Sequence, residues 1–335
     1  ARLDHYGKPQ TPRCIAGGEG ISVFQPQWLQ NNQLLIAEDS SGWWNLSIGD
    51  PATGRWDKPW PMDAETAMPQ WVYGMRTTAW DGTAVLAAVC AEGIWQLLRL
   101  GLDGRVDPVE QPFDDLAGLS ALEGRAVAIA SNSTSPAGLL ELNLHDHVPN
   151  HWIHTPAVEL PMEQEAISVA EPLWFDGFGG LRTHAWYYPP SGSAPDPDQP
   201  PPLLVKSHSG PTAMASRGLN LAIQYWTSRG WGVVDVNYGG STGFGRAYRE
   251  RLQQGWGAVD VEDCAAAARA LIANGQAHPE QIAIEGGSAG GFTTLACLCF
   301  TDVFKAGACR YAVCDLSAMA QDTHRFEARY LDGLV

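Results

Sequence analysis

The stretch Gly286-Gly287-Ser288-Ala289-Gly290 has the residue types of a serine nucleophile held on a tight turn. Residues 281–285 before it run apolar as a buried strand does, and residues 291–300 after it are small and apolar enough for a helix packed on a sheet. Such a strand–turn–helix exposes the serine hydroxyl and directs the following backbone N–H groups at a developing oxyanion. The pattern therefore predicts that Ser288 is a nucleophile and Ala289 an oxyanion donor, with a structural glycine-rich turn as the alternative.

A second turn, His208-Ser209-Gly210-Pro211, follows the apolar strand predicted over residues 203–206. In hydrolases with a nucleophile on such a turn, the second oxyanion donor comes from a loop after an early strand. We expect the backbone N–H of Ser209 or Gly210 to take this role beside Ala289. An ordinary turn before a helix is the alternative.

The partners of the nucleophile are harder to find, because the acid and then the base follow the serine in this type of hydrolase. His324 is the only downstream histidine, and it lies in a polar segment where a solvated or substrate-facing histidine is the simpler interpretation. The downstream candidate acids are Asp302, Asp315, Asp322 and Asp332. Asp315 closes a predicted strand but precedes any base. We expect the chain to be a fragment whose catalytic Asp and His lie beyond Val335.

Alternating strands and helices must position these turns, and they follow residue 166. Strands are predicted over residues 173–175, 183–188, 203–206, 232–236, 281–285 and 306–313, and helices over residues 214–229, 261–274 and 292–300. The first two strands are predicted to form a pair joined by the turn over residues 176–180. The strands that alternate with helices predict a parallel α/β sheet.

The first 160 residues differ, because short strand candidates there are separated by Gly, Asp, Asn and Pro turns. A glycine, a strand of large residues and a polar hairpin turn recur from Gly42, Gly93 and Gly138, roughly 45 to 50 residues apart, near the length of a four-stranded propeller blade. Because propellers usually carry at least four blades, three units predict an incomplete propeller with further blades before Ala1. A plain sandwich is the alternative.

The composition narrows the class of protein. The 335 residues are 45% hydrophobic, include 14 Trp and carry a formal net charge of −16, which argues against nucleic acid or an anionic membrane as a partner. No apolar run is long enough to span a membrane, and no secretion signal is visible. The seven cysteines do not have the spacing of metal ligands, which indicates reduced, buried thiols in a cytoplasmic protein. A metal at Cys297 and Cys299 is disfavoured, since those side chains would point apart on a helix. No cofactor and no metal is predicted.

Four segments together resemble the prolyl oligopeptidase family of serine peptidases, in particular its acylaminoacyl-peptidase and dipeptidyl-peptidase-like members. They are residues 208–211, 237–245, 256–263 and 286–291. The resemblance implies an incomplete β-propeller over residues 1–165 and the first part of an α/β-hydrolase domain over residues 166–335. It implies Ser288 as nucleophile, Ala289 as oxyanion donor and short peptides as substrates, which enter a cavity between the two domains.

The chain departs from the family pattern at two positions. Ser209 stands where the family loop usually has glycine, and Gly239 stands where arginine is common. By the same resemblance, the substrate pocket would be lined by Leu316, Met319, Phe326 and Tyr330. Trp256, Asp260 and Asp263 are interpreted as a structural set at a helix start.

Three functions remain open from the sequence. The first is a serine exo- or oligopeptidase acting through an acyl-enzyme on Ser288. The second is an esterase or other acyl hydrolase, because the same turn serves ester chemistry. The third is a catalytically inactive fragment or a propeller interaction module. A homo-oligomer is compatible with each.

Overall fold

The first half of the chain folds into three four-stranded antiparallel sheets, because its short apolar strands alternate with turn-forming residues. The computed structural model describes residues 4–335 apart from 72, 145–150, 194–195 and 324–326. The first sheet is built from β1 (Val23–Trp28), β2 (Leu34–Glu38), β3 (Asn45–Asp50) and β4 (Arg55–Asp57). The second has β5 (Thr78–Trp80), β6 (Ala84–Ala91), β7 (Ile94–Gly101) and β8 (Val106–Pro108). The third has β9 (Asp115–Leu122), β10 (Arg125–Asn132), β11 (Ser135–Asn143) and β12 (His151–Pro156).

The second sheet is buried on both faces, which explains the unbroken apolar run of β6. Alternate residues from Val85 to Val89 pack toward the first sheet, and those from Leu86 to Cys90 pack toward the third. Side chains of a strand point alternately to opposite faces, so a strand between two sheets needs apolar residues at every position. The predicted strands and hairpin turns of the first two repeats are present. The polar turn predicted over residues 145–147 lies outside the described residues.

The far face of the third sheet is apolar and open to solvent. On β10, the alternating small residues from Ala126 to Ala130 are buried, whereas the residues between them are exposed. The exposed apolar residues of this face and its rim are Leu122, Val127, Ile129, Leu139 and Ile153.

The second half of the chain forms a six-stranded mixed sheet. Its strands are β13 (Glu171–Asp176), β14 (Arg182–Tyr188), β15 (Leu203–Ser207), β16 (Gly232–Asn237), β17 (Ile282–Gly287) and β18 (Ala306–Arg310), in the order β13-β14-β16-β15-β17-β18. The last four are parallel, as predicted. Strands β13 and β14 are the predicted pair, and they run antiparallel because a short turn joins them into a hairpin. Strand β14 is also antiparallel to β16.

Among the described residues of this half, five α-helices accompany the sheet: α1 (Leu221–Thr227), α2 (Arg246–Arg249), α3 (Val259–Ala273), α4 (Ala289–Phe300) and α5 (Leu316–Gln321). Helices α3 and α4 cover one face and bury the largest apolar cluster of the second half. Helix α1 packs on the other face through Ile223.

Two predicted elements are shorter in the structure. The helix predicted over residues 214–229 begins only at Leu221, because the Asn220 side chain accepts hydrogen bonds from the backbone N–H of Ala222 and Ile223 and caps the helix. The strand predicted over residues 306–313 ends at Arg310, before Tyr311 with its φ of 40°. Asp315 therefore does not close a strand.

The prediction of buried thiols is wrong for four of the seven cysteines. All seven are free, but Cys14, Cys299, Cys309 and Cys314 are exposed. Cys309 lies on the edge strand β18, whose residues are all exposed. Cys297 is buried and Cys299 exposed on α4, so their side chains diverge as expected.

The domain boundary stays a prediction, although the third sheet ends at Pro156 and the six-stranded sheet begins at Glu171. Over the described ranges, no helix has the length and apolar character needed to cross a bilayer, and no group of three or more metal-binding side chains comes together.

Candidate active site

Ser288 lies on the turn between β17 and α4 in a backbone conformation that a non-glycine residue rarely adopts. Its φ is 52° and its ψ is −119°. The turn is held by its own peptide groups, since the Ser288 N–H donates to the Arg310 carbonyl (3.1 Å) and its carbonyl accepts from the N–H of Val313 (3.2 Å). The side chain is half-buried, and its hydroxyl has no hydrogen-bond partner among the described residues. Backbone strain such as this positive φ is concentrated at functional sites. Here the strained turn leaves the Ser288 hydroxyl without a partner in the described part of the chain.

The glycines around Ser288 are required by close backbone approach. A Cβ at Gly286 would lie 2.3 Å from the Gly290 carbonyl oxygen, and a Cβ at Gly290 would lie 2.1 Å from the carbonyl oxygen of Ser207. The start of α4 therefore packs directly on the end of β15. This contact brings the turn that follows β15 against the turn that carries Ser288.

Three backbone N–H groups predicted as oxyanion donors are unused in this arrangement. Those of Ala289, Ser209 and Gly210 donate no hydrogen bond within the part of the chain that the structure describes. Ala289 is the first residue of α4, where N–H groups lack an acceptor within the helix. Unpaired donors beside a free hydroxyl are what an oxyanion site requires.

Ser209, which stands where the family loop usually has glycine, links the oxyanion turn to the turn that carries Ser288. The Ser209 hydroxyl donates a hydrogen bond to the Gly287 carbonyl at 2.9 Å, which glycine does not allow. At the other departure, a Cβ on Gly239 would lie 2.8 Å from Val259 Cγ1 and 3.0 Å from Arg251 Cβ. A larger residue at position 239 would require these neighbours to move.

His208 has a structural place beside the oxyanion turn. Its ring stacks on Tyr238 with centroids 4.2 Å apart, and Nε2 lies 2.8 Å from the Ser241 hydroxyl. Desolvation lowers the pKa of His208 to about 4, so the ring is neutral at physiological pH. Its Nδ1 lies 3.0 Å from the Ser209 carbonyl, and the Ser241 hydroxyl donates to the Tyr238 carbonyl at 2.7 Å.

Two buried carboxyl groups fix α3 to its surroundings. Asp260 accepts from the Gly257 N–H (2.6 Å) and from the hydroxyl of Thr293 on α4. Asp263 accepts from the N–H of Gly239 and of Phe178, both at 2.7 Å. Burial raises the pKa of both, that of Asp260 to about 6. Their contacts agree with the structural role predicted for them.

Within the described residues, none of the four candidate acids is hydrogen-bonded to Ser288. All four downstream aspartates are exposed. Asp315 accepts from the Ala318 N–H and caps α5, and Asp332 pairs with Arg329. His324 and Phe326 lie outside the described residues.

The predicted pocket residues divide into two groups. Tyr330 lines a cavity of about 550 Å³ between the two halves of the chain, and its hydroxyl lies 2.8 Å from that of Thr212. Leu316 and Met319 pack against the core of the second half, as Tyr330 also does, but they do not line this cavity. Ser288 does not line this cavity. The cavity reaches the oxyanion turn through Thr212, which lies in its wall two residues after Gly210.

Contacts between the halves include residues that the sequence analysis did not single out. Arg249 on α2 pairs with the buried Asp39 at 2.9 Å and lies 3.7 Å from the buried Glu65. Glu65 accepts from the Trp44 N–H at 2.8 Å, and burial raises its pKa. These partners are far apart in sequence, and no local pattern indicates them.

The chain is similar to known proteins of one peptidase family. Residues 218–335 match the model of the prolyl oligopeptidase family. The chain is 38% identical to a solved puromycin hydrolase, with a TM-score of 0.93 over 100% of this chain and 51% of that one. It is 37% identical over 111 residues to dipeptidyl aminopeptidase BIII of Pseudoxanthomonas mexicana, covering 33% of this chain and 16% of that protein. It is 33% identical over 119 residues to the acylamino-acid-releasing enzyme of Arabidopsis thaliana, covering 35% and 16%.

These matches confirm the resemblance seen in the four sequence segments. The chain spans about half the length of the puromycin hydrolase and a smaller share of the two curated relatives.

Proposed function

With residues 218–335 matching the prolyl oligopeptidase family, we propose that this chain is part of a serine peptidase that cleaves short peptides through an acyl-enzyme on Ser288. The observation that carries the proposal is the strained Ser288 turn, whose hydroxyl and three nearby backbone N–H groups have no hydrogen-bond partner among the residues that the structure describes. The names of the relatives, which are peptidases and a puromycin hydrolase, support amide bonds as the target.

In the proposed reaction, the Ser288 Oγ attacks the scissile carbonyl carbon and its proton passes to a base. The carbonyl oxygen becomes an oxyanion, which accepts hydrogen bonds from Ala289 N–H and from the N–H of Ser209 or Gly210. The C–N bond then breaks, the leaving amine takes the proton, and the acyl group stays on Ser288. Water hydrolyses the resulting ester by the same steps. Loss of one oxyanion donor typically lowers kcat about 10²- to 10³-fold.

We propose that the base and the acid come from residues outside this 335-residue sequence. Two observations support this: the described residues bring no histidine or carboxylate to the Ser288 hydroxyl, and the puromycin hydrolase chain is about twice as long. The order of nucleophile, acid and base along such chains agrees with this proposal.

The proposed architecture is an incomplete β-propeller over residues 1–165 followed by an incomplete α/β-hydrolase domain over residues 166–335. Stacked four-stranded sheets and the exposed apolar face of the third sheet support a further blade beside it. The cavity between the halves, with Tyr330 in its wall, is the proposed route for short peptides. We also propose a cytoplasmic location, which seven free cysteines favour.

An esterase is the second candidate, because the same free hydroxyl and oxyanion donors serve ester substrates. An inactive fragment or interaction module is the third. The test uses the full gene product that contains this chain, its Ser288→Ala variant and, as a matched control, Ser317→Ala on the exposed surface of α5. Each protein is treated with a fluorophosphonate probe and assayed on aminoacyl nitroanilides and nitrophenyl esters.

We expect the wild type to be labelled by the probe and to cleave the nitroanilides. Ser288→Ala should do neither, and Ser317→Ala should behave as the wild type. Labelling without amide cleavage would replace the peptidase by an esterase. No Ser288-dependent labelling of the full product would support the inactive alternative. The 335-residue chain alone is expected to show little turnover, and robust amide cleavage by it would overturn the placement of the base outside this sequence.

A further inference from the structure

Trp71, in the loop between β4 and β5 of the first half, packs against the oxyanion turn of the second half. Gly210 has a φ of +61°, and a Cβ built on it would lie 3.2 Å from Trp71 Cζ2 and 3.3 Å from Cε2. The edge of the indole ring therefore rests directly on the Gly210 α-carbon. The absence of a side chain at position 210 permits this contact.

The same indole ring reaches the other end of the turn through Tyr330. The rings of Trp71 and Tyr330 meet edge to face, with centroids 5.3 Å apart and an interplanar angle of 80°. The Tyr330 hydroxyl is hydrogen-bonded to the Thr212 hydroxyl. The Thr212 carbonyl accepts a hydrogen bond from the Thr242 hydroxyl at 2.6 Å. Trp71 thus contacts Gly210 directly and supports Thr212 through Tyr330.

The turn between these contacts needs such support. Glycine has the widest backbone freedom of any residue, so Gly210 does not hold its own conformation. Within the second half, hydrogen bonds restrain the turn through the Ser209 hydroxyl (to the Gly287 carbonyl) and through three backbone carbonyls. The His208 carbonyl accepts from the Tyr238 hydroxyl (2.9 Å), the Ser209 carbonyl lies 3.0 Å from His208 Nδ1, and the Gly210 carbonyl accepts from the Ala213 N–H (2.7 Å). None of the described bonds holds the N–H groups of Ser209 and Gly210. An oxyanion donor loses most of its value when it is displaced by about 1 Å.

We propose that Trp71 is a positioning residue, which holds the Ser209–Gly210 turn so that its N–H groups face the oxyanion formed at Ser288. The proposal rests on the proposed peptidase function and extends it, because it makes the first half of the chain part of the catalytic apparatus. Trp71 acts through packing on Gly210. It is half-buried, and its indole N–H is buried without a partner in the described part of the chain.

The test compares four proteins made as the full gene product: the wild type, Trp71→Ala, Trp71→Phe and Trp80→Ala. Trp80 is a matched control, because it is a half-buried tryptophan that packs on the core of the first half. The readouts are kcat and KM for an aminoacyl nitroanilide, and hydrogen exchange of the peptide that contains residues 208–212.

We expect Trp71→Ala to lower kcat about 10- to 100-fold with KM changed less than about threefold, and to speed exchange in residues 208–212. Trp71→Phe keeps an aromatic ring against Gly210 and should retain kcat within about threefold. Trp80→Ala should leave kcat and exchange at residues 208–212 unchanged.

Three results would overturn the positioning role. Full kcat in Trp71→Ala would show that the turn holds without the indole. A rise in KM at constant kcat would instead make Trp71 a wall of the substrate site, and equal losses in Trp71→Phe and Trp71→Ala would assign the effect to the indole N–H. If the wild type neither labels at Ser288 nor turns over, the proposed function fails, and the role of Trp71 fails with it. An active wild type with an unaffected Trp71→Ala removes the role of Trp71 alone.

Discussion

The hydroxyl of Ser209 donates a hydrogen bond to the carbonyl of Gly287 across 2.9 Å and ties the proposed oxyanion turn to the residue before the nucleophile. The two turns follow different strands, β15 and β17, which are parallel neighbours. Their carboxyl ends meet at one edge of the sheet, where this bond and that of the Ser207 hydroxyl to the Gly290 carbonyl (2.8 Å) tie the donor turn to the nucleophile turn.

Removing this hydroxyl should lower the turnover number without preventing folding. In Ser209→Ala and Ser209→Gly, the turn loses a hydrogen bond of about 0.5 to 1.5 kcal/mol, which corresponds to at most about a tenfold loss of kcat. Glycine should be the worse substitution, because it also frees the backbone. The measurement is kcat on an aminoacyl nitroanilide, with Ser317→Ala as the control. Unchanged kcat in both variants would show that the bond does not position the donor.

A methyl group at Gly290 should prevent the second half from folding correctly. In Gly290→Ala, the new Cβ would lie 2.1 Å from the Ser207 carbonyl oxygen, and backbone atoms on β15 and α4 cannot both give way cheaply. We expect a loss of at least about 3 kcal/mol in the free energy of unfolding, measured by urea denaturation. Gly333→Ala is the control, since a Cβ at position 333 would have no neighbouring atom within 4 Å. Equal midpoints for the two variants would contradict the close approach of α4 to β15.

The nucleophile turn could be predicted from sequence because its signals are local. The apolar strand, the glycines and the small residues of α4 all lie within about twenty residues of Ser288, and each has a direct backbone cause. The start of α1 could also be predicted from the sequence, because Asn220 is of a residue type favoured at helix N-caps. The antiparallel pairing of β13 and β14 follows from a short connection between them, which permits only a hairpin.

The contacts between the two halves had no such signal. Trp71 is one of 14 tryptophans, and its type alone does not distinguish packing on Gly210 from packing within a sheet. Arg249 is likewise an ordinary charged residue on a short helix until the fold places it beside Asp39 and Glu65. Such pairings depend on how separate sheets dock, and a single sequence does not encode docking in any local pattern.

The stability of the second half should depend on pH through Asp260. Burial raises the pKa of this carboxyl to about 6, whereas in the unfolded chain it ionises near its usual value of about 4. The folded state therefore holds the proton more tightly. The contribution is fully present below about pH 4 and is lost as the pH rises through 6, which amounts to about 3 kcal/mol.

Asp260→Asn removes this titration and keeps an oxygen that can accept from the Gly257 N–H. We expect the stability of the variant relative to the wild type to rise by up to about 3 kcal/mol between pH 4 and pH 7, measured by urea denaturation at each pH. Burial also raises the pKa of Asp235 to about 6, but Asp235 is common to both proteins and cancels in the difference. The exposed Asp302→Asn serves as the control. A difference that stays constant with pH would refute the assignment.

The ion pair between Arg249 and Asp39 should couple the two halves during unfolding. Asp39 is 1% exposed and Glu65 is fully buried, so Arg249→Ala leaves two carboxyl groups in the interior without their main cation. Breaking a buried pair from one side costs about 3 to 5 kcal/mol. We expect a lower melting temperature and a split of thermal unfolding into two transitions, followed by circular dichroism at pH 7.

Arg269→Ala is the matched control, because Arg269 pairs with Glu262 on the surface of α3, where both side chains are nearly half exposed. An exposed pair contributes at most about 1 kcal/mol, so this variant should melt as the wild type does. Replacing both carboxyl groups in an Arg249→Met background, with Asp39→Asn and Glu65→Gln, should recover much of the loss, since no charge is then left unpaired. A single cooperative transition and equal melting temperatures for Arg249→Ala and Arg269→Ala would show that the pair does not couple the halves.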